Sequence, residues 1–232
     1  WGLPRNAPFA LLSFKRVISL SLSSTKADSS LEQERRLPDW FKVKFPGGEN
    51  YARVKNQMRS FALNTVCEEA ACPNIAECWG RGTATFMILG DTCTRACSYC
   101  NVKTGKPLSL DLGEPMRVAT TVQEMDLKYI VVTSVDRDDL EDGGSGIFAM
   151  TIKQIREQTP GIHVEVLIPD FNGDEAALRT VLAQRPDVLS HNIESVRRIF
   201  RKVRPRGDYD LSLELLRCAK EIQPESSSKS GI

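Results

Sequence analysis

The stretch TATFMILGDTCTRACSYC, residues 83–100, decides how this chain is read. Its opening, Thr83 to Leu89, is a short apolar run rich in β-formers and reads as a buried strand. The strand runs straight into Cys93, Cys97 and Cys100, spaced C-x3-C-x2-C. Open α/β sheets and (β/α) barrels carry their chemistry at the carboxyl ends of strands, so cysteines there sit where a site is expected. Downstream, Tyr129–Val135, Ile162–Ile168 and Asp187–Glu194 read as further strands, short and bounded by turn residues. Between them GIFAMTIKQIREQT (146–159) and GDEAALRTVLAQR (173–185) show helical apolar spacing and end near Pro160 and Pro186. Strand and helix in alternation predict an α/β fold with a parallel sheet.

Upstream lies a second triplet, Cys67, Cys72 and Cys78 in CEEAACPNIAEC, with the different spacing C-x4-C-x5-C. Six of the seven cysteines thus fall in two triplets, Cys78 and Cys93 being only fifteen residues apart. Thiols this dense, in a chain with little other cysteine, point to metal rather than to a disulfide framework. Two sets of three point to two sites. Structural zinc is a closed tetrahedron of four ligands, often drawn from two C-x2-C knuckles. Here only Cys97 and Cys100 form a knuckle, and neither triplet has a fourth thiolate. Cys218, His163 and His191 remain as candidates, but Cys218 shares helical spacing with Leu211, Leu215 and Ile222 and reads as a small core residue. An iron–sulfur cubane held by three thiolates, with one iron open, suits the pattern better than zinc. Both metals stay open on the residues alone.

A chain of 232 residues, 41% apolar and 26% charged, can bury a full core. A net charge of +1 gives no electrostatic case for nucleic acid, and no run of about eighteen apolar residues spans a membrane. Cluster-holding thiolates require a reducing compartment, so a cytoplasmic setting is expected. Residues 1–36 read as a disordered leader and linker. Within them 1–27 carry four basic and no acidic side chains, which also suits a transit peptide and would move the protein to the mitochondrial matrix or plastid stroma.

The C-x3-C-x2-C triplet, with aromatic Tyr99 before its last cysteine, resembles the signature of the radical S-adenosylmethionine (SAM) enzymes. The longer block NTVCEEAACPNIAECWGRGTATFMILGDTCTRACSYCNVKTG is similar to the lipoyl synthase family within them. So are TSVDRDDLEDGG (133–144), VEVLIPDFNG (164–173), HNIESV (191–196) and VRPRGDYDLSLELL (203–216). These blocks run from about Leu37 to the last residue. The resemblance implies a curved partial (β/α) barrel over 83–232, preceded by an extension, 37–82, that carries an auxiliary cluster. It implies two [4Fe-4S] clusters, one on Cys93, Cys97 and Cys100 and the other on Cys67, Cys72 and Cys78. It also implies SAM, cleaved to a 5′-deoxyadenosyl radical, and sulfur insertion at C6 and C8 of a protein-bound octanoyl group. The auxiliary cluster would be the sulfur source, with two SAM molecules used per lipoyl group. Implied partners are octanoylated lipoyl carrier domains, namely the glycine-cleavage carrier protein and the acyltransferase subunits of 2-oxoacid dehydrogenases. An electron donor such as ferredoxin or flavodoxin and an iron–sulfur carrier complete the set.

Residues toward SAM follow from pattern and resemblance together. Alternation along DVLSHNIE sets Ser190, Asn192 and Glu194 on one strand face and Leu189, His191 and Ile193 on the other. Asn192 and Glu194 are therefore candidates for the ribose, and His191 reads as a satisfied core histidine. Glu165 lies opposite Val164, Val166 and Ile168 and is expected to face the interior. Thr133 and Ser134, where the family receives the methionine amino group, and Tyr99 are further candidates. Arg204, with Arg206 in the basic run 197–206, suits a solvated helix end equally with a cofactor carboxylate or an acidic carrier. The loop Asp136–Ser145 has five acidic residues in ten and reads as a solvated turn; it lacks the D-x-D-x-D-G order of an EF-hand.

The chain departs from the family at its end. KSGI (229–232) reads as the opening of another strand, and the family's Arg-Ser-Ser-Tyr motif, whose first serine is the fourth ligand of the auxiliary cluster, does not follow. The expectation is a fragment lacking a quarter to a third of the catalytic domain. The alternatives are another radical sulfur-inserting enzyme of the biotin synthase kind and a zinc-stapled binding module without catalysis.

Overall fold

Alternation in the quoted strand is what builds the sheet. In the computed structural model, which describes residues 47–69, 72–125 and 127–232, strand β2 spans Thr83–Ile88. Ala84, Phe86 and Ile88 on one of its faces are at most 1% exposed, while Thr83 and Thr85 on the other are only half-buried. The same asymmetry recurs in β5 (Tyr129–Ser134), β6 (His163–Leu167) and β7 (Val188–Ser190). Ile130, Val132, Val164, Val166 and Leu189 lie under helices, each at most 1% exposed. Tyr129, Val131, His163, Leu167 and Val188 are more open. One face is therefore apolar and covered, and the other is mixed and partly accessible. This is the pattern of an open (β/α) barrel wall rather than a sheet buried on both sides.

Helices α4 (Glu114–Glu124), α5 (Ser145–Gln158), α6 (Glu175–Leu182) and α8 (Tyr209–Ile222) connect successive strands. They present Val118 and Val122, Phe148 and Ile152, Leu178 and Val181, and Leu215 and Ala219 to the core. The Asp174 and Asp208 side chains cap α6 and α8 by accepting from the backbone N–H groups of Ala176 and Leu211. The sheet order is β1-β2-β5-β6-β7-β8, with β8 at Ser227–Lys229 and every pair parallel except β1 (Asn64–Thr65) against β2. Register aligns Met87, Thr133, Leu167, Ser190 and Lys229 in one row at the carboxyl ends. The expected parallel α/β architecture is present.

All four expected strands are shorter than the pattern reading; β5 and β6 lose only Val135, Ile162 and Ile168, and the other two ends have a visible cause. The first strand stops at Ile88 because Leu89 (φ 70) and Gly90 (φ 94) turn left-handed. The strand expected over Asp187–Glu194 stops at Ser190. Beyond it Ile193 N and Glu194 N both donate to Gly231 O, Gly231 N donates to Asn192 Oδ1, and Glu194 has φ 69. Face alternation therefore does not carry through to Asn192 and Glu194.

Upstream of β2, α1 (Glu49–Ser60) sets Val54 and Met58 into the core, and Tyr51 stacks on Trp79 at 5.1 Å. Trp79, 1% exposed, lies on α3 (Ile75–Gly80), which follows α2 (Val66–Glu69). Two short strands, β3 (Thr92–Cys93) and β4 (Lys103–Thr104), clasp the second cysteine loop, and α7 is Phe200–Val203. The expectations for residues 1–36, and for the first part of 37–82, lie outside the described residues. Among the described residues no helix is long and apolar enough to cross a membrane.

Candidate functional site

Cys93, Cys97 and Cys100 lie on the loop leaving β2 and grade from buried to exposed. None of the seven cysteines is disulfide-bonded. Burial pushes the Cys93 thiol up to about 11, with Asp136 adding to the rise; its Sγ is 3.8 Å from Asp136 Oδ2. Burial also raises Cys97, against the opposing pull of Arg204. In the first triplet burial raises Cys67, and Cys72 and Cys78 push it further, so both lie within electrostatic reach of Cys67. Cys72 N donates to Cys67 O at 3.0 Å, and Cys78 N donates to Asn74 O at 3.0 Å in the first turn of α3. Among the described residues no three His, Cys, Asp or Glu side chains close on a point sized for a single ion. Thiols held protonated by burial must lose their protons to solvent when they bind a metal, so uptake should be favoured by higher pH.

Beside the second loop, at the carboxyl ends of β5, β6 and β7, a cavity is lined by Tyr99, Thr133, Ser134, Asn192, Glu194 and Arg204, together with Asp136 and His191. All six residues singled out toward a cofactor meet there. Ser134 Oγ and Arg204 Nε are buried without a hydrogen-bond partner, which is costly unless something else completes them. Thr133 is engaged, its hydroxyl donating to Leu167 O at 2.9 Å. Asn192 gives its carbonyl to Gly231 N, which leaves its NH2 to offer. Tyr99 is half-exposed; desolvation and then Glu194 push its phenol well above the usual range. Arg204 is 6% exposed, so it is no solvated helix end: Nη1 donates to Asn192 O at 3.0 Å and Nη2 is 3.8 Å from Asp170. Arg197 and Arg201, by contrast, stay on the surface paired with Asp210 and Asp208. The polar lining of one guanidinium, the Ser134 and Tyr99 hydroxyls, one amide and two carboxylates suits a zwitterionic ligand that carries a sugar.

His191, 1% exposed, has both ring nitrogens bonded: Nδ1 to Ile168 O at 2.9 Å and Nε2 to Ser212 Oγ at 3.1 Å. Burial lowers its pKa and keeps it neutral. Glu165 faces the more open side of the sheet, accepting from Tyr129, from Ser190 at 2.8 Å and from Lys229 at 2.9 Å. These donors hold its carboxyl below the usual range despite burial.

Pattern reading missed Arg95 and misread the acidic loop. Arg95 sits between Cys93 and Cys97, and its side chain is 3% exposed. Asp136 and Asp138 are its partners, Asp139 pairs with Arg137, and Asp142 caps the N-terminus of α5 through Gly144 N and Gly146 N. The loop is thus mostly structural wiring rather than a solvated turn. An arginine flanked by ligand-spaced cysteines, with unpaired aspartates at the next strand ends, was the available signal.

Comparison with known proteins agrees with this geometry. A family model described as the Radical SAM superfamily matches residues 87–232, and one described as the N-terminal domain of lipoyl synthase matches residues 21–72. The chain belongs to the radical SAM superfamily. Within it the chain is similar to lipoyl synthases, those of Staphylococcus aureus strains JH9 and Newman each being 55% identical over 202 residues. That match covers 87% of this chain and 66% of each relative, so the chain spans just under two thirds of their length. Among solved structures, methylornithine synthase superposes with a TM-score of 0.51 at 13% identity, over 77% of this chain and 55% of that one. That likeness concerns the fold alone.

Proposed function

We propose that the protein is a lipoyl synthase, inserting two sulfur atoms at C6 and C8 of an octanoyl group held on a lipoyl carrier domain. The observation that carries the reading is the meeting of Ser134, Arg204, Asn192, Glu194 and Tyr99 at one cavity beside Cys93, Cys97 and Cys100, with two buried polar atoms there lacking partners. The upstream triplet and the similarity to lipoyl synthases narrow the class. In this reading Cys93, Cys97 and Cys100 hold the [4Fe-4S] cluster that binds SAM, and Cys67, Cys72 and Cys78 hold the auxiliary one. Bound there, cluster and SAM supply reductive sulfonium cleavage and hydrogen abstraction from unactivated carbon. The chain's part is binding and orientation. Arg204 offers a guanidinium to the methionine carboxylate, and Ser134 a hydroxyl near its amino group. Asn192 and Glu194 offer an N–H donor and an acceptor to the ribose, and Tyr99 closes the rim. Octanoylated carrier domains are the substrates, with a low-potential electron donor and an iron–sulfur carrier as partners.

The test is single-turnover assay of the protein at the full length of its relatives, with SAM, reductant and an octanoylated carrier peptide. The expected result is two new C–S bonds on the acyl chain and two methionines released. Methionine release without sulfur transfer, from protein carrying both clusters, would refute the assignment.

A further inference from the structure

Arg95 joins three loops. Its Nε and Nη2 donate to Asp138 at 2.9 and 2.7 Å, its Nη1 and Nη2 to Asp170 at 2.7 and 2.8 Å, and Nη2 also to Asn172 Oδ1 at 2.7 Å. Asp138 lies in the loop after β5, and Asp170 and Asn172 in the loop after β6. The planar guanidinium fork thus spans two carboxylates at once, which a lysine cannot do. The remaining contacts tighten the same unit. Asn172 Nδ2 donates to Asp138 Oδ1 at 3.0 Å, Asp138 N donates to Thr94 Oγ1 at 3.1 Å, and Thr94 N donates to Asp136 O at 3.0 Å. Phe171 (φ 48) and Asn172 (φ 51) both adopt left-handed backbone to present these groups, a local cost that the clasp offsets. The Arg95 backbone N–H lies 3.4 Å from Cys93 Sγ and donates to it, and Arg95 O accepts from Thr104 Oγ1 at 3.2 Å across the loop.

We propose that Arg95 is a positioning residue whose clasp holds the cysteine loop in shape before any cluster is present and aims the Arg95 amide at the Cys93 sulfur. All of these bonds run between groups of the chain itself, so the loop's shape does not wait on metal. N–H donation to a ligand sulfur stabilises the more negative, reduced state of an iron–sulfur cluster and so raises its potential. The consequence for the cluster rests on the functional reading above; the consequence for the free loop does not.

The test compares wild type, Arg95→Lys and the triple variant Arg95→Met/Asp138→Asn/Asp170→Asn, which removes the clasp's charges and leaves Asp136 and Arg204, each having lost one partner, to face one another, all at the full length of the relatives. In cluster-free protein, alkylation of buried Cys93 is followed by mass spectrometry against exposed Cys100 as internal reference. The expected result is a rise of about tenfold or more in the Cys93-to-Cys100 rate ratio in both variants, with the unfolding midpoint of the triple variant near wild type. In reconstituted protein the SAM-binding cluster should reach full iron more slowly, and its reduction potential should move to more negative values. Folded variants with unchanged Cys93 protection and unchanged potential would overturn the proposal. So would unfolding of both variants, which would make Arg95 a residue of the fold. Absent sulfur insertion by wild type, with alkylation and potential as expected, would sink the functional reading alone.

Discussion

Replacing Ser212 by alanine is a sharp test of how the cavity wall is held. His191 is neutral because burial lowers its pKa, and Ile168 O only accepts, so Nδ1 carries the proton and Nε2 must be an acceptor. Its one donor is the hydroxyl of fully buried Ser212, 3.1 Å away on α8. That hydroxyl also donates to Asp208 O at 2.9 Å, so its single proton is shared between the carbonyl and the ring, which has no other donor. The alanine strands a ring nitrogen on a residue 1% exposed. An unsatisfied buried acceptor costs about 1–3 kcal/mol, or roughly 3–10 °C of melting temperature for a domain of this size. Thermal unfolding of Ser212→Ala followed by circular dichroism at pH 8 reads it directly. A midpoint within about 1 °C of wild type, well below the shift expected for this loss, would refute the hydrogen-bond assignment. The same histidine sets a pH dependence. From 6.5 down to its lowered native value, the unfolded chain holds a proton that the native protein excludes. His191 therefore contributes a loss of stability as pH falls through that window and none above it. Urea unfolding of wild type against His191→Gln should show this slope flattened in the variant; parallel slopes would contradict it.

Gly144 has φ 89, and a Cβ there would meet Leu89 Cδ1 at 2.3 Å, so Gly144→Ala should destabilise by about 2–4 kcal/mol from left-handed strain and overpacking together. Urea midpoints check it, and a loss under about 1 kcal/mol would mean that Leu89 repacks freely. Glu194→Gln should weaken SAM binding by about tenfold, the scale of one charge-assisted hydrogen bond, while iron content stays at the wild-type level. Equilibrium binding and iron analysis separate the two, and lost iron would point to a role in the fold instead.

Much of the fold was legible because its signals are local. Thr83–Ile88, Tyr129–Ser134 and His163–Leu167 announce themselves by apolar runs between turn residues, and cysteine spacing needs no third dimension to be read. The end of β7 was not legible. Residues 191–194 have strand-like composition, but their backbone follows Gly231, some forty residues on, and no periodicity encodes that partner. Asn192 and Glu194 nevertheless line the cavity, although the face argument that singled them out does not apply there. The clasp that Arg95 makes was not legible for the same reason. Its partners are 43, 75 and 77 residues away, and the aspartates that bind it look in sequence like a solvated acidic turn. Arg204 stood undecided between surface and ligand because only packing reveals that a member of a basic run is buried.

The measurement that bears most directly on the central claim is the iron and sulfide content of the protein, extended to the full length of its relatives, after anaerobic reconstitution. Two cubanes predict about eight irons, falling to about four when Cys67, Cys72 and Cys78 become alanine. Stoichiometric zinc, or about four irons that the triple substitution leaves unchanged, would contradict the auxiliary cluster and the sulfur insertion that depends on it.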